Sequence, residues 1–146
     1  MSGKITVIFL VGGSLIFGVV FFYFQTFAYY KKVNIKNEIL VQSKKIKVTK
    51  YRGINSDISK LKLRGCFQVD PSYFNEFKTS NNASPLSAPF WFDCFDYKEI
   101  QSNIDKGFLK AYLAEENEAP GIDRYIAISK TGSGYEWRQF NEKYME

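Results

Sequence analysis

The residues best placed by type and spacing to do chemistry are Cys94 and its neighbours in the run Asp93-Cys94-Phe95-Asp96. A nucleophilic thiol needs a nearby cation or a helix N-terminus to stabilise its thiolate, and the flanking carboxylates oppose this. A metal site built on these residues would lack imidazole and would mix hard oxygen ligands with soft sulfur. We therefore interpret Cys94 as structural, either bonded or buried, and Asp96 as a helix cap.

Other catalytic patterns are equally scarce in the sequence. The chain has no histidine, which excludes histidine-based triads, the usual zinc and haem ligation and phospho-acceptor histidines. The run 131–134 lacks the lysine and the following helix that phosphate binding requires, so it is interpreted as a hairpin turn. The acidic run 115–118 is interpreted as a solvated loop. Four carboxylates that could form an acid/base pair are expected to be exposed: Asp70, Asp93, Asp96 and Asp123. The sequence thus predicts no enzyme activity, no cofactor and no metal.

Two cysteines, Cys66 and Cys94, form the next candidate feature. In an oxidising compartment they could pair, and the chain-entropy estimate values such a bond at roughly 3 to 4 kcal/mol. Free cysteines are also among the most buried residue types, so two unlinked buried thiols are the alternative. The even count in a small domain favours the bond.

An uncharged run from Ile5 to Tyr30, bounded by lysines on both sides, dominates the start of the chain. Helical rise is about 1.5 Å per residue, so about twenty residues cover the roughly 30 Å of bilayer hydrocarbon. A cleavable signal has an apolar core of only about 7 to 15 residues and ends in small residues, whereas this run ends in aromatic ones. We therefore predict a tail at residues 1–4 and a retained, single transmembrane helix at residues 5–30.

Basic residues follow the helix at once. Residues 31–64 contain eleven Lys and Arg against two acidic residues, whereas residues 65–146 contain eight against thirteen. Lys31, Lys32 and Lys36 are candidate contacts for anionic headgroups, each contributing about 1 kcal/mol near a charged surface. A solvated strand pair is the alternative, and a cytoplasmic location is a third interpretation. Nucleic-acid binding is disfavoured, because the aromatic residues are not interleaved with the basic ones.

The remainder of the chain predicts one small α+β domain of antiparallel strands with two short helices. We divide it into a basic juxtamembrane segment with strands, residues 31–52, and the rest of the compact domain, residues 53–146. Turn and loop compositions lie at 53–59, 79–89 and 130–134. Alternating and β-branched residues predict strands at 38–43, 45–51, 61–64, 66–69, 110–114, 124–129 and 135–140.

The two helices are predicted from their start signals. Asp70 followed by Pro71 has the form of an N-cap and a first helical residue. Asp96 with Glu99 three residues later has the form of a capping box. The second helix would present one apolar face and end at a glycine, with the residues Ile100, Ile104 and Phe108 on that face and Gly107 as the cap.

Two classes of function remain possible, and an aromatic stretch bears on the choice between them. Phe90, Trp91, Phe92 and Phe95 form either part of the domain core or an interaction surface. If these aromatic residues form an interaction surface, the chain is expected to be a non-catalytic accessory or assembly protein that contacts a larger inner-membrane complex. The alternative is a membrane-anchored enzyme or small-ligand-binding domain. It would need a cleft in which Arg124 or Arg138 faces Asp93 or Asp123.

Five segments are distinctive: Tyr29-Tyr30 and the runs 64–67, 90–96, 121–124 and 135–137. Together they resemble a family of short, single-span membrane proteins of alphaproteobacteria that has no established function. The resemblance implies that Cys66 and Cys94 are a family cysteine pair. This supports the disulfide and a periplasmic domain anchored in the bacterial inner membrane. Some members carry a histidine-kinase label, which a chain without histidine does not support.

Overall fold

The computed structural model describes residues 2–141, and the chain separates into two compact units at the junction of Tyr30 and Lys31. The first unit is helical. Helix α1 spans Gly3–Tyr23 and continues as a π-helical turn over Phe24–Ala28. None of its residues is buried, and the helix carries an apolar surface on every side. The run is long and apolar enough to cross a membrane, as the sequence predicted.

The second unit is an antiparallel sheet with one α-helix, which confirms the expected α+β class. The strands are β1 (Lys31–Lys32), β2 (Glu38–Val41), β3 (Lys44–Asn55), β4 (Arg64–Val69), β5 (Leu109–Ala119), β6 (Ile122–Ser129) and β7 (Ser133–Phe140). Their order is β1-β3-β4-β7-β6-β5, and β2 also pairs with β3. The α-helix is α2 (Tyr97–Asp105), and the other predicted helix is a single 3₁₀ turn at Pro71–Phe74.

The sheet curls until its two ends meet. The backbone N–H of Gln42, in the β2–β3 turn, donates to the carbonyl of Ala114 in β5 at 2.7 Å. Its side-chain amide donates to the neighbouring carbonyl of Leu113 at 3.1 Å. Farther along β5, the N–H of Ser80 donates to the carbonyl of Ala111 at 2.8 Å. The edge of β5 is therefore covered by other parts of the same unit, which limits edge-to-edge association.

Curling gives the sheet an inner and an outer face, and both are packed. β6 is buried along nearly its whole length, because its side chains alternate between the two faces. On the outer face, the fully buried Trp137 stacks on Tyr125 and meets the edge of Phe95. The inner face holds the main apolar cluster, formed by Ile39, Val41, Ile46, Val48, Tyr51, Phe67, Val69, Phe74, Phe77, Tyr112, Ala114, Ile126 and Ile128.

Several element boundaries differ from the predictions, and three of the differences exceed two residues. β3 does not end at Tyr51 but continues to Asn55, because Gly53 and Ile54 pair with β4 and the end of the strand also pairs with β1. β5 continues to Ala119, so the acidic run 115–118 is strand and not a loop. Residues 60–62 form a 3₁₀ turn, and β4 begins only at Arg64.

Helix α2 begins as the sequence predicted. The Asp96 carboxylate accepts hydrogen bonds from the backbone N–H groups of Lys98 and Glu99 at 3.0 and 3.2 Å. Gly107 follows the helix with a φ of +78°, a conformation that favours glycine. Phe108 is 65 % exposed, so the expectation that it shares the buried face of Ile100 is wrong. The turn at Gly107 carries the chain off the helical path before Phe108.

The cap supplies a stability prediction. Replacing Asp96→Ala removes the acceptor for two helix N–H groups, so we expect the free energy of unfolding to fall by about 1 kcal/mol. Asp96→Asn is the matched control, because asparagine caps helices about as well as aspartate. Urea unfolding followed by far-UV circular dichroism measures both. An equal loss in the two variants would contradict the capping role.

Candidate functional site

Charged side chains meet inside the curl of the sheet, where apolar packing would be expected. Five residues form what we call the buried charge cluster: Tyr51 in β3, Glu118 in β5, Arg124 in β6, and Glu136 and Arg138 in β7. The cross-strand register brings them together. Arg124 lies opposite Arg138, and Glu136 is two residues before Arg138 and so lies on the same face of the sheet. The side chains of Arg124 and Glu136 are only 6 % and 1 % exposed.

The cluster is held by directed hydrogen bonds. Arg124 donates from Nε to Glu118 at 2.9 Å, and from Nη2 to the Leu40 carbonyl at 2.7 Å. The other Glu118 oxygen accepts from Nε of Arg138 at 2.6 Å. Nη1 of Arg124 lies 3.4 Å from Glu136, whose second oxygen accepts from the Tyr51 hydroxyl. Each carboxylate therefore has two donors, and each arginine has at least one carboxylate partner.

The electrostatics keep Glu118, Arg124 and Tyr51 in their ordinary charge states. Burial acts to raise the pKa of Glu118, but the charges of Arg124 and Arg138 and their hydrogen bonds outweigh it, so this pKa is lowered. Burial acts to lower the pKa of Arg124, and the neighbouring carboxylates reverse that effect. Burial, then the negative charge of Glu136 and the bond to it, raise the pKa of the Tyr51 hydroxyl. Tyr51 thus stays protonated and acts as a donor.

Two glycines make room for the cluster. Gly53 and Gly65 face each other across β3 and β4. A Cβ at Gly53 would lie 2.7 Å from the Tyr51 ring, and one at Gly65 would lie 2.7 Å from Cγ of Glu136. A glycine inside a strand often marks such a close approach. This glycine pair is a sequence signal for the cluster, although the composition of residues 53–59 predicts a turn.

A cleft of about 300 Å³ opens beside the cluster. Glu118, Arg124, Glu136 and Arg138 line it, together with Lys36 from the segment between β1 and β2. Tyr51 is held protonated and the arginines bind internal acceptors, so these groups of the cluster are engaged within the domain. Within residues 2–141, no group of three or more His, Cys, Asp or Glu side chains is arranged to hold a metal ion.

The cysteine pair lies on the outer side of the sheet. The sulfurs of Cys66 in β4 and Cys94 before α2 are at disulfide-bonding distance, and their Cα atoms are 6.3 Å apart. This pair ties the long connection between β4 and α2 back onto the sheet. The described residues contain no free cysteine.

Residues 33–146 match the sequence profile of a family of unknown function, DUF6446. The chain belongs to this family. The matched range contains both cysteines and all five residues of the buried charge cluster. No curated protein and no solved structure matches the chain.

In this DUF6446 domain, the predicted acidic candidates do not meet the arginines of the cleft. Asp93 is exposed and binds Arg52 at 2.8 Å, and that hydrogen bond and the charge of Arg52 lower the pKa of Asp93. The prediction that Asp123 is exposed is wrong, because Asp123 is buried and accepts from the Asn117 N–H at 2.8 Å. The carboxylate partners of Arg124 are instead Glu115, Glu118 and Glu136.

The aromatic stretch of the DUF6446 domain is divided between surface and core. Phe90 is 72 % exposed and Trp91 is partly buried, whereas Phe92 and Phe95 are 5 % and 4 % exposed. Phe92 and Phe95 therefore lie mostly inside the domain. Phe95 is drawn inward because its ring packs edge-on against Trp137 at a centroid distance of 6.3 Å.

The three candidate membrane-contact lysines are also divided. Lys31 and Lys32 are exposed on β1, and Lys31 pairs with Asp57. Lys36 is partly buried, and its Nζ lies 5.2 Å from the centroid of the Tyr51 ring, beside the cleft. Lys36 therefore has a partner within the domain.

Tyr51 gives the domain a predicted alkaline instability. Because its pKa is raised in the folded state, its contribution to stability is fully present below the ordinary tyrosine pKa of about 10 and is lost as pH rises above it. Urea unfolding at a series of pH values should show a falling midpoint above about pH 10.

Tyr51→Phe is the control for this pH effect. The variant should be less stable at neutral pH, because Glu136 loses a donor, and its alkaline slope should be shallower. Part of the slope should remain, since burial also raises the pKa of Tyr112 and Tyr135. An unchanged slope in Tyr51→Phe would contradict the assignment to Tyr51.

Proposed function

We propose that this chain is a single-span protein of the bacterial inner membrane whose domain serves as a non-catalytic accessory or assembly module for a larger membrane protein complex. The observation that carries the proposal is the mutual pairing of the charges in the buried charge cluster. The groups most capable of chemistry are occupied in holding β5, β6 and β7 in register. The domain is thereby a preorganised scaffold, which lowers the entropic cost of binding a partner.

Membrane residence rests on α1 and the turn that follows it. Residues 5–23 of this helix are uncharged and mostly apolar, and none of them is buried within the first unit, so water would have to cover their apolar surface if no membrane did. The cysteine pair favours the periplasmic side, because disulfides persist in oxidising compartments.

The proposal is tested with the full chain in its native membrane. Photo-crosslinking residues are placed singly at the exposed positions Ile58, Tyr73, Phe90 and Phe108, and the buried position Trp137 serves as the matched control. The expected result is a crosslink to the same membrane protein from one or more neighbouring exposed positions and none from position 137. A chain that extracts in mild detergent as a lone, monodisperse protein without a crosslink from any position would overturn the proposal.

The cleft beside the cluster favours one alternative, a small-ligand-binding domain. Its lining carries Lys36 and Arg138, which suit a small anionic molecule, although Glu38 and Glu118 offset that charge. Native mass spectrometry of the gently extracted chain tests this alternative. A bound small molecule that is lost in Lys36→Gln, but kept in the exposed control Lys130→Gln, would favour ligand binding over the accessory role.

A further inference from the structure

A surface groove of about 340 Å³ beside β3 is lined by cations and aromatic rings together. Lys32 and Arg52 provide the positive charge, and Trp91 and Phe92 provide the rings. We call these four residues the cation–aromatic groove. Val33 lines both this groove and the cleft of the buried charge cluster, and Tyr51 of that cluster also lines the groove, whereas the four charged residues of the cluster do not.

The cations of the groove are accessible to a ligand. Lys32 is exposed, and the side chain of Arg52 is 57 % exposed. Arg52 contacts Asp93 through Nη2 at 2.8 Å, and its guanidinium carbon lies 5.8 Å from the centroid of the Phe92 ring. A guanidinium has five N–H donors, so Arg52 can bind a phosphate oxygen while it keeps Asp93.

Amphipathic aromatic residues lie beside these cations. Trp91 is partly exposed and meets Phe92 edge-on, with the ring centroids 6.5 Å apart. Phe90 precedes it in the chain and is 72 % exposed. Aromatic rings of this kind concentrate at the level of lipid headgroups, where the ring contacts acyl chains and polar atoms remain in water.

The groove is connected to the apolar helix through the sequence. Lys32 belongs to β1, the first strand after that helix. We infer that the cation–aromatic groove binds the phosphate of an anionic phospholipid headgroup, with Phe90 and Trp91 in the interfacial layer. The inference rests on the proposed membrane residence of the chain. An acidic segment of a partner protein would suit the cations, but it would not require exposed aromatic rings directly beside them.

Tryptophan fluorescence provides the test, because the chain has two tryptophans and Trp137 is fully buried. The full chain is inserted into nanodiscs of phosphatidylcholine alone, or of phosphatidylcholine with added phosphatidylglycerol, each with acyl chains brominated near the headgroup. We expect stronger quenching of the emission when phosphatidylglycerol is present. The Trp91→Phe variant should lose this difference, because the remaining tryptophan is out of reach of the bromine atoms.

Charge variants test the headgroup contact itself. Each cation near an oppositely charged lipid surface strengthens the binding affinity about fivefold. Lys32→Gln and Arg52→Gln should therefore each weaken the apparent affinity for phosphatidylglycerol by about fivefold, measured by varying its fraction in the nanodisc. Lys130→Gln, at an exposed lysine in the β6–β7 turn, should leave it unchanged. An unchanged urea midpoint in all three variants shows that the domain is folded.

Three outcomes would overturn the inference. Equal quenching in both kinds of nanodisc would contradict the proposed contact with the anionic headgroup. Absence of quenching in both would contradict the proposed position of Trp91 in the interfacial layer. A photo-crosslink from position 91 to a protein, without lipid quenching, would assign the groove to a protein partner. The proposed accessory role would survive these outcomes wherever crosslinks to a membrane protein form from positions 58, 73 or 108.

Discussion

Arg124→Ala should lower the free energy of unfolding by about 3 to 5 kcal/mol, the largest effect we expect from a single charged residue in this domain. The variant leaves Glu136 buried without its cationic neighbour and removes one of the two arginines bound to Glu118. It also leaves the Leu40 carbonyl without its donor. Urea unfolding of the full chain in detergent, followed by tryptophan fluorescence, measures the change.

An exposed ion pair provides the matched control for Arg124→Ala. Lys44 binds Glu76 at 2.6 Å, but both side chains are more than half exposed. Lys44→Ala should therefore cost less than about 1 kcal/mol, because solvent screens exposed pairs. Glu136→Gln should lie between the two, since its amide oxygen still accepts from Tyr51 while Arg124 keeps Glu118. If Arg124→Ala cost no more than Lys44→Ala, the cluster would not be what holds the strands together.

Replacing Cys66→Ser together with Cys94→Ser should lower the free energy of unfolding by about 3 to 4 kcal/mol. The cysteines are separated by 28 positions in the sequence. Closing a loop of that length removes this much conformational entropy from the unfolded chain in the chain-entropy model. The connection between β4 and α2 contains little regular structure, so its attachment to the sheet depends strongly on the bond.

Reductant provides an independent check on the disulfide. It should lower the urea midpoint of the natural chain to that of the double variant and should leave the double variant unchanged. Thiol alkylation of intact membranes checks the same bond in its compartment. Both cysteines should be protected from label until reductant is added. Free labelling of both before reduction would contradict the bond and remove the support for a periplasmic domain.

Local chemistry was sufficient to predict several elements from the sequence. The apolar run before Lys31 predicts a helix that needs no partner within its own unit, because length and the absence of charge decide it. The start of α2 follows from Asp96, whose carboxylate reaches backbone groups only two and three residues away. The hairpin between β6 and β7 follows from a run of small and glycine residues between two alternating segments.

Only the tertiary structure determines which residues of the aromatic stretch are buried. In the sequence, Phe90 and Phe95 are the same residue type in the same segment. Phe95 is buried because Trp137, more than forty residues later, supplies a face for its ring, whereas Phe90 is largely exposed. The burial of a side chain depends on the residues that the folded sheet places next to it. The local sequence pattern does not specify those residues, because they are distant in the sequence.

The sequence alone therefore determined the features that depend on neighbours along the chain. These are the apolar helix, the cap of α2, the alternation in the strands and the even number of cysteines. The tertiary structure decided which charges meet. Glu118 in an acidic run and Glu136 between aromatic residues give no local sign of a partner, and the register of β5, β6 and β7 brings them to Arg124. Electrostatic pairing acts through space over a few ångströms, so it becomes fixed only when the curled sheet fixes those distances.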